Sequence, residues 1–102
     1  MAMNMQALMQ QAQKMQRDME KAQKQLNETL FEMDSAGGAI HISIYGNRKI
    51  EKISIDPDAI DPEDKEMLED LIKVAINEAI SLVDKENDKM QKKMAGNMRM
   101  PF

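Results

Sequence analysis

The sequence predicts an α+β protomer of order α-β-β-β-α, in which a three-stranded antiparallel sheet is flanked by two long helices. Three observations predict it. Apolar or small residues recur at alternating steps of three and four from Met5 to Leu26. Isoleucines recur with period two at Ile40, Ile42 and Ile44. A wide apolar stripe with helical spacing runs from Leu68 to Val83. With 102 residues the chain is read as one domain. Its parts are a helix over 1–28, a sheet over 29–56, a second helix over 61–93 and a flexible tail over 94–102.

The first helix rests on Met5, Leu8, Ala12, Met15, Met19, Ala22 and Leu26, which form a heptad seam. Gln, Lys, Met, Ala and Leu fill the positions between, and all are good helix formers. Such a helix is roughly 35–40 Å long. A small sheet cannot cover that length, so part of the helix must project or pair with another helix. Thr29, Phe31 and Met33 then alternate with Leu30, Glu32 and Asp34 as a short strand, and Gly37-Gly38 turns the chain. Ile40, Ile42 and Ile44, interleaved with His41, Ser43 and Tyr45, make a strand with one buried face. Gly46-Asn47-Arg48 is a hairpin loop.

In the third strand the apolar phase slips between Ile50 and Ile53. A bulge at Glu51-Lys52 repairs it and pairs Ile44 with Ile50, Ile42 with Ile53 and Ile40 with Ile55. Asp56-Pro57 ends the strand. Asp61 reads as the N-cap of the second helix, with Pro62 at its first position and acids in its first turn. Leu68, Leu71, Ile72, Ala75, Ile76, Ala79, Leu82 and Val83 form the stripe that covers the sheet. Met90 and Met94 continue the spacing, Gly96-Asn97 breaks it, and MRMPF reads as a loose tail.

Composition excludes several function classes. There is no Cys, hence no disulfide framework, no Cys-based zinc site and no thiol nucleophile. A single His excludes a multi-His metal site within one chain. The Met-rich ends could offer soft ligands for Cu(I), but Met1, Met3 and Met5 do not converge on one helix face. The acidic stretch Asp56 to Asp70 contains Pro57 and Pro62 and lacks the Gly and Glu spacing of a calcium loop. His41 has four Ser and no Cys to work with, so no triad assembles around it, and no Gly-rich phosphate loop is present. The expectation is a protein without enzymatic activity, cofactor, metal or small-molecule substrate. No run of about 18 apolar residues predicts a membrane span. The N-terminus lacks the basic and apolar regions of a secretory signal, so the expected location is the cytoplasm. The three aromatics, Phe31, Tyr45 and Phe102, leave the core aliphatic and Met-rich, and a chain this small often completes its core by oligomerising.

The formal net charge is −4, with 14 Lys plus Arg against 18 Asp plus Glu, which at first speaks against a nucleic-acid partner. By segment it is +2 over 1–26, −10 over 27–88 and +4 over 89–102. Lys14, Arg17, Lys21 and Lys24 step by 3, 4 and 3, which puts them at heptad positions c and f, away from the apolar seam. Asp18 and Glu20 lie off that stripe, whereas a salt-bridged surface would interleave the two signs. Basic ends that project beyond the screening length of about 8 Å act nearly independently of an acidic body. Lys and Arg in this setting meet phosphate, with little sequence selectivity. No zinc finger, recognition-helix motif or set of stacking aromatics is present.

The Met/Gln-rich start MNMQALMQQAQKMQRDMEKAQKQL, the middle GGAIHISIYGNRKIEKISIDPDAIDPEDKEMLEDLIKVAINEAI and the terminal MPF resemble the YbaB/EbfC family of bacterial nucleoid-associated proteins over nearly the whole chain. The run from Ile53 to Ala79 is the most specific part. The resemblance implies an intertwined homodimer with projecting helices that binds double-stranded DNA in the cytoplasm and nucleoid, with little sequence specificity. It supplies no invariant DNA-contact motif. Charge and position therefore nominate the contacts: Lys14, Arg17, Lys21 and Lys24 in the first helix, with Lys89, Lys92, Lys93 and Arg99 near the C-terminus. The apolar seam of Leu68, Leu71, Ile72, Ala75 and Ala79 is the expected dimer interface. A competing reading is a prefoldin-like chaperone or protein-interaction module whose Met-rich helix tips hold clients. Membrane-surface binding by the first helix would need a less Gln-rich face.

Overall fold

The structure, a computed structural model, describes residues 4–97. Helix α1 (Met5–Glu28) is capped by Asn4, whose side chain accepts from the Gln6 N–H at 3.0 Å. At its other end the Thr29 hydroxyl donates to the Gln25 carbonyl at 2.6 Å, and the chain leaves in an extended conformation. Strands β1 (Leu30–Ser35), β2 (Ile40–Tyr45) and β3 (Ile50–Ile55) form one antiparallel meander in the order β1-β2-β3. Between β1 and β2 the chain makes a tight 3₁₀ turn over Ala36–Gly38 with φ of +66° at Gly37 and +94° at Gly38. Those angles favour glycine.

The β2–β3 register is the one the isoleucine phase predicts. Ile44 pairs with Ile50, Ile42 with Ile53 and Ile40 with Ile55, and the bulge falls between Ser43 and Ile44, opposite Glu51. Ile40, Ile42 and Ile44 are fully buried under Ala75, Ala79 and Val83 of helix α2 (Lys65–Asn97). The two alanines let the helix axis approach the sheet closely. Phe31, Met33, Ile50, Leu71, Ile72 and Ile76 close the edges of this core. Helix α2 crosses mainly β2 and β1, so Ile53 of β3 keeps 38% of its surface exposed.

The start and end of α2 correct the expected boundaries of 61–93. Asp61 caps a turn rather than the helix. Its carboxylate accepts from the Glu63 N–H at 2.9 Å and its carbonyl from the Asp64 N–H at 3.0 Å. The helix begins four residues later than expected, at Lys65, where the Asp64 carboxylate accepts from the Met67 N–H at 3.3 Å. Pro62 serves the turn as well as it would a helix start, because both need φ near −65°. At the other end α2 runs through Gly96 to Asn97. One glycine costs a helix only about 1 kcal/mol, and Lys92 to Ala95 before it are good helix formers. Residues 94–97 of the expected tail are therefore helical, and 98–102 lie outside the described residues. Asp64→Ala is expected to cost about 1 kcal/mol in urea unfolding and Asp61→Ala clearly less; equal costs would mean that the helix starts at Asp61 after all.

The protomer is long, with extents of 76 × 24 × 17 Å and a radius of gyration of 20.5 Å. A compact chain of this length would have about 13 Å. Helix α2 accounts for about 50 Å of the long axis. The rest comes from α1, which no fully buried residue holds against the body. The helices touch where Gln23 meets Asn87, with Nε2 of one 3.2 Å from Oδ1 of the other. Only an α1 that points the same way as the C-terminal end of α2 reaches the full length. The half-buried Met15, Ala22 and Leu26 of α1 and Met90 and Met94 of α2 mark the seam between them. The first residues of α1 extend beyond it, and Met5 is 74% exposed.

Candidate nucleic-acid interface

The arm formed by α1 and the end of α2 gathers most of the nominated basic residues. At about 100° per residue from Met5, the α1 seam falls between roughly 260° and 360° and the four basic residues between roughly 100° and 180°. Lys14, Arg17, Lys21 and Lys24 are all exposed. Lys89, Lys92 and Lys93 are exposed on the final turns of α2. Among these described residues only Lys89 is in an ion pair, with Glu86 at 3.3 Å. Arg99 lies outside the described residues.

From Lys14 to Lys24 the stripe spans about 15 Å. DNA rises about 3.4 Å per base pair along each strand, so one stripe matches four to five base pairs of backbone. Most of the net negative charge is remote. Asp56, Asp58, Asp61, Glu63, Asp64, Glu66, Glu69 and Asp70 surround the start of α2, with Lys65 as the sole base between residues 56 and 70. The start of α2 lies about 33 Å along its axis from Asn87. That is about four screening lengths at physiological salt. The molecule thus has a basic arm and an acidic far end, a polarity that the net charge of −4 conceals.

Two features redistribute the expected dimer seam. Ala75 and Ala79 are fully buried in the protomer's own core and cannot face a second chain. Leu71 and Ile72 pack partly against that core, and Leu68 is half-buried beside them. The sequence stripe correctly identified an apolar face, but the sheet of the same chain uses most of it. A groove not marked by the periodicity lies between β1 and the edge of this face of α2. Met33, Val74 and Leu82 line it with Asn77, Glu78, Ser81 and Lys85, around a volume of about 510 Å³. Val74, 48% exposed and off the main stripe, is the residue that could have signalled it.

The sheet face opposite α2 is polar. His41 Nδ1 lies 2.7 Å from Asp34 Oδ1, and Nε2 lies 3.5 Å from Glu32. The Asp34 hydrogen bond holds the imidazole pKa above its ordinary 6.5, against the opposing effect of desolvation and with help from Glu32. Protonated His41 therefore favours the folded state below the unfolded pKa, and that contribution disappears as pH rises through the folded one. In an NMR titration the His41 midpoint is expected above 6.5, and Asp34→Asn is expected to lower it; an unmoved midpoint would dissociate the two groups. Among the described residues no set of three His, Cys, Asp or Glu side chains is arranged to hold a metal ion. No described helix is long and apolar enough to cross a membrane.

The sequence pattern of the YbaB/EbfC DNA-binding family matches residues 1–98. A nucleoid-associated protein of Clostridium novyi (strain NT) is 44% identical over 99 residues, which cover 97% of this chain and 87% of that one. One from Ruminiclostridium cellulolyticum is 46% identical over 95 residues, covering 93% and 83%. Among solved structures, the crystal structure of an uncharacterised Helicobacter pylori protein superposes with a TM-score of 0.70 at 23% identity, covering 95% of this chain and 98% of that one. That likeness speaks for the fold.

Proposed function

The chain belongs to the YbaB/EbfC DNA-binding family, whose members are bacterial nucleoid-associated proteins and not enzymes, and from that premise we propose that two copies together grip double-stranded DNA through the basic arms. Lys14, Arg17, Lys21 and Lys24 contact phosphate from α1, with Lys89, Lys92 and Lys93 adding charge at the end of α2 and Arg99 following them in the sequence. The observation that carries this reading is the row of unpaired Lys and Arg on a projecting helix, far from the acidic end of the body. Binding of this kind reads backbone and carries little sequence preference. The nucleoid in the cytoplasm is the corresponding location.

The second copy is proposed to cover Leu68, Leu71 and Ile72 where the protomer's sheet leaves them half exposed. Duplexes of varied sequence, titrated between about 50 and 300 mM salt, test the proposal. A dimer that contacts roughly four to six phosphates gives log affinity falling with log salt at a slope of about −4 to −5. No binding at the lowest salt, or a slope near zero, would overturn it. The exposed Met5, Leu8 and Met9 at the arm tip favour a second reading, a client-holding module. Suppression of client aggregation by a protein that does not bind DNA would select that reading instead.

A further inference from the structure

The β2–β3 turn is where α1, the sheet and α2 meet. Asn87 of α2 donates through Nδ2 to the Gly46 carbonyl at 3.3 Å and to the Val83 carbonyl at 2.9 Å. Its Oδ1 accepts from Gln23 Nε2 of α1 at 3.2 Å, and the same Nε2 donates to Asn27 Oδ1 at 2.8 Å. The Gly46 N–H donates to the Thr29 carbonyl at 3.0 Å, just past the end of α1. Gly46 is buried, and a Cβ placed on it would collide with the Leu26 carbonyl of α1. Two positions on, Arg48 takes φ +72° and donates through Nε to Asp84 Oδ1 at 2.9 Å, tying the turn to α2 a second time. A side chain at φ +72° is a strained choice that persists where surrounding contacts hold it.

We propose that Gly46, Gln23 and Asn87 are positioning residues that fix the direction of the α1 arm relative to α2. They thereby set the spacing at which the basic stripes meet phosphate. This rests on the DNA-binding reading above. The reason is leverage. Helix α1 has no fully buried residue, so its direction depends on the half-buried seam of Met15, Ala22 and Leu26 and on the polar contacts around its last turns. Lys14 lies about 18 Å from Leu26 along the axis. A swing of about 10° at the joint would displace Lys14 by about 3 Å, close to the rise of one base pair. None of the three residues carries charge, so altering them leaves the arm's electrostatics intact. A change in DNA binding would then report geometry.

The absence of native Cys allows spin labels at Gln10→Cys on α1 and Gln91→Cys on α2, both exposed, in the full chain diluted with unlabelled protein. In the parent the distance distribution is expected to be narrow. In Asn87→Ala it is expected to broaden while circular dichroism keeps the helix and strand content. Duplex affinity is expected to fall about five- to tenfold, with a salt slope shallower by about 1 as fewer phosphates are reached together. Gln23→Ala, which removes the other side of the same contact, is expected to act in the same direction. An unbroadened distribution in both variants overturns the proposal, as does a loosened arm that binds DNA with unchanged affinity and slope. A parent protein that binds no duplex at about 50 mM salt overturns the DNA reading and this proposal together.

Discussion

Reversing all four charges of the α1 stripe, with Lys14, Arg17, Lys21 and Lys24 replaced by Glu, is expected to weaken duplex binding by about a thousandfold at about 100 mM salt. The magnitude follows from counterion release. Each phosphate neutralised contributes about 0.9 to the salt exponent, so losing about four contacts per dimer removes between three and four decades of affinity at 0.1 M. The salt slope should flatten by a similar exponent. Folding should survive, because all four side chains are exposed, lie off the seam and are in no described ion pair. Glu is as good a helix former as Lys or Arg. The Lys24 change, nearest the C-terminal end of the helix dipole, costs a few tenths of a kcal/mol. Reversing Lys65 and Lys73, which lie toward the acidic end of α2, supplies the control and should change affinity little. Equal losses from both sets would show that total charge, and not the arm, governs binding.

The second large effect is on stability. Ile42 is fully buried at the centre of β2, between Met33 and Ile53 and beneath α2. Ile42→Ala is expected to cost about 3–4 kcal/mol, the transfer of the removed methyl groups plus the cavity left behind. That is a large part of the stability of a domain this small. Ile53→Ala, across the strand in the same row, should cost about 1 kcal/mol, because its side chain already retains contact with water. Urea midpoints of the two variants, measured at several protein concentrations, test the pair. If Ile53→Ala proves as costly as Ile42→Ala, the inner face of β3 is covered in the assembled protein and a second chain reaches over it.

The strand register was legible because period-two burial leaves a direct trace. Three isoleucines on one phase, followed by a slip of one residue, admit a single bulge that keeps every isoleucine on the inner face. The phase of the basic stripe was legible for the same kind of reason, since helical periodicity assigns residues to faces whatever lies opposite. The start of α2 was not. Asp61 and Asp64 have the same side chain and both accept from a nearby backbone N–H. Which one caps the helix depends on where the intervening turn ends, and Pro62 is compatible with either outcome. The joint was invisible because Gln23, Gly46 and Asn87 are far apart in the chain and individually ordinary. Gly46 looked like a simple hairpin glycine, and only the approach of the α1 carbonyl shows why a side chain is excluded there.

The sequence by itself determined the elements and the face each one buries. Propensity and periodicity act between residues a few positions apart, and the chain encodes them directly. It also determined the segregation of charge into basic ends and an acidic middle. Only the tertiary structure decided what each face meets. Ala75 and Ala79 looked like a seam for a second copy, yet the protomer's own sheet covers them, because an apolar stripe specifies burial but not the partner that supplies it. Likewise the two basic ends, separated by the whole acidic middle of the chain, share one arm because α1 lies along the end of α2, with Gln23 meeting Asn87. That juxtaposition depends on a long-range contact, which no local pattern records, and it brings the basic residues together on one arm.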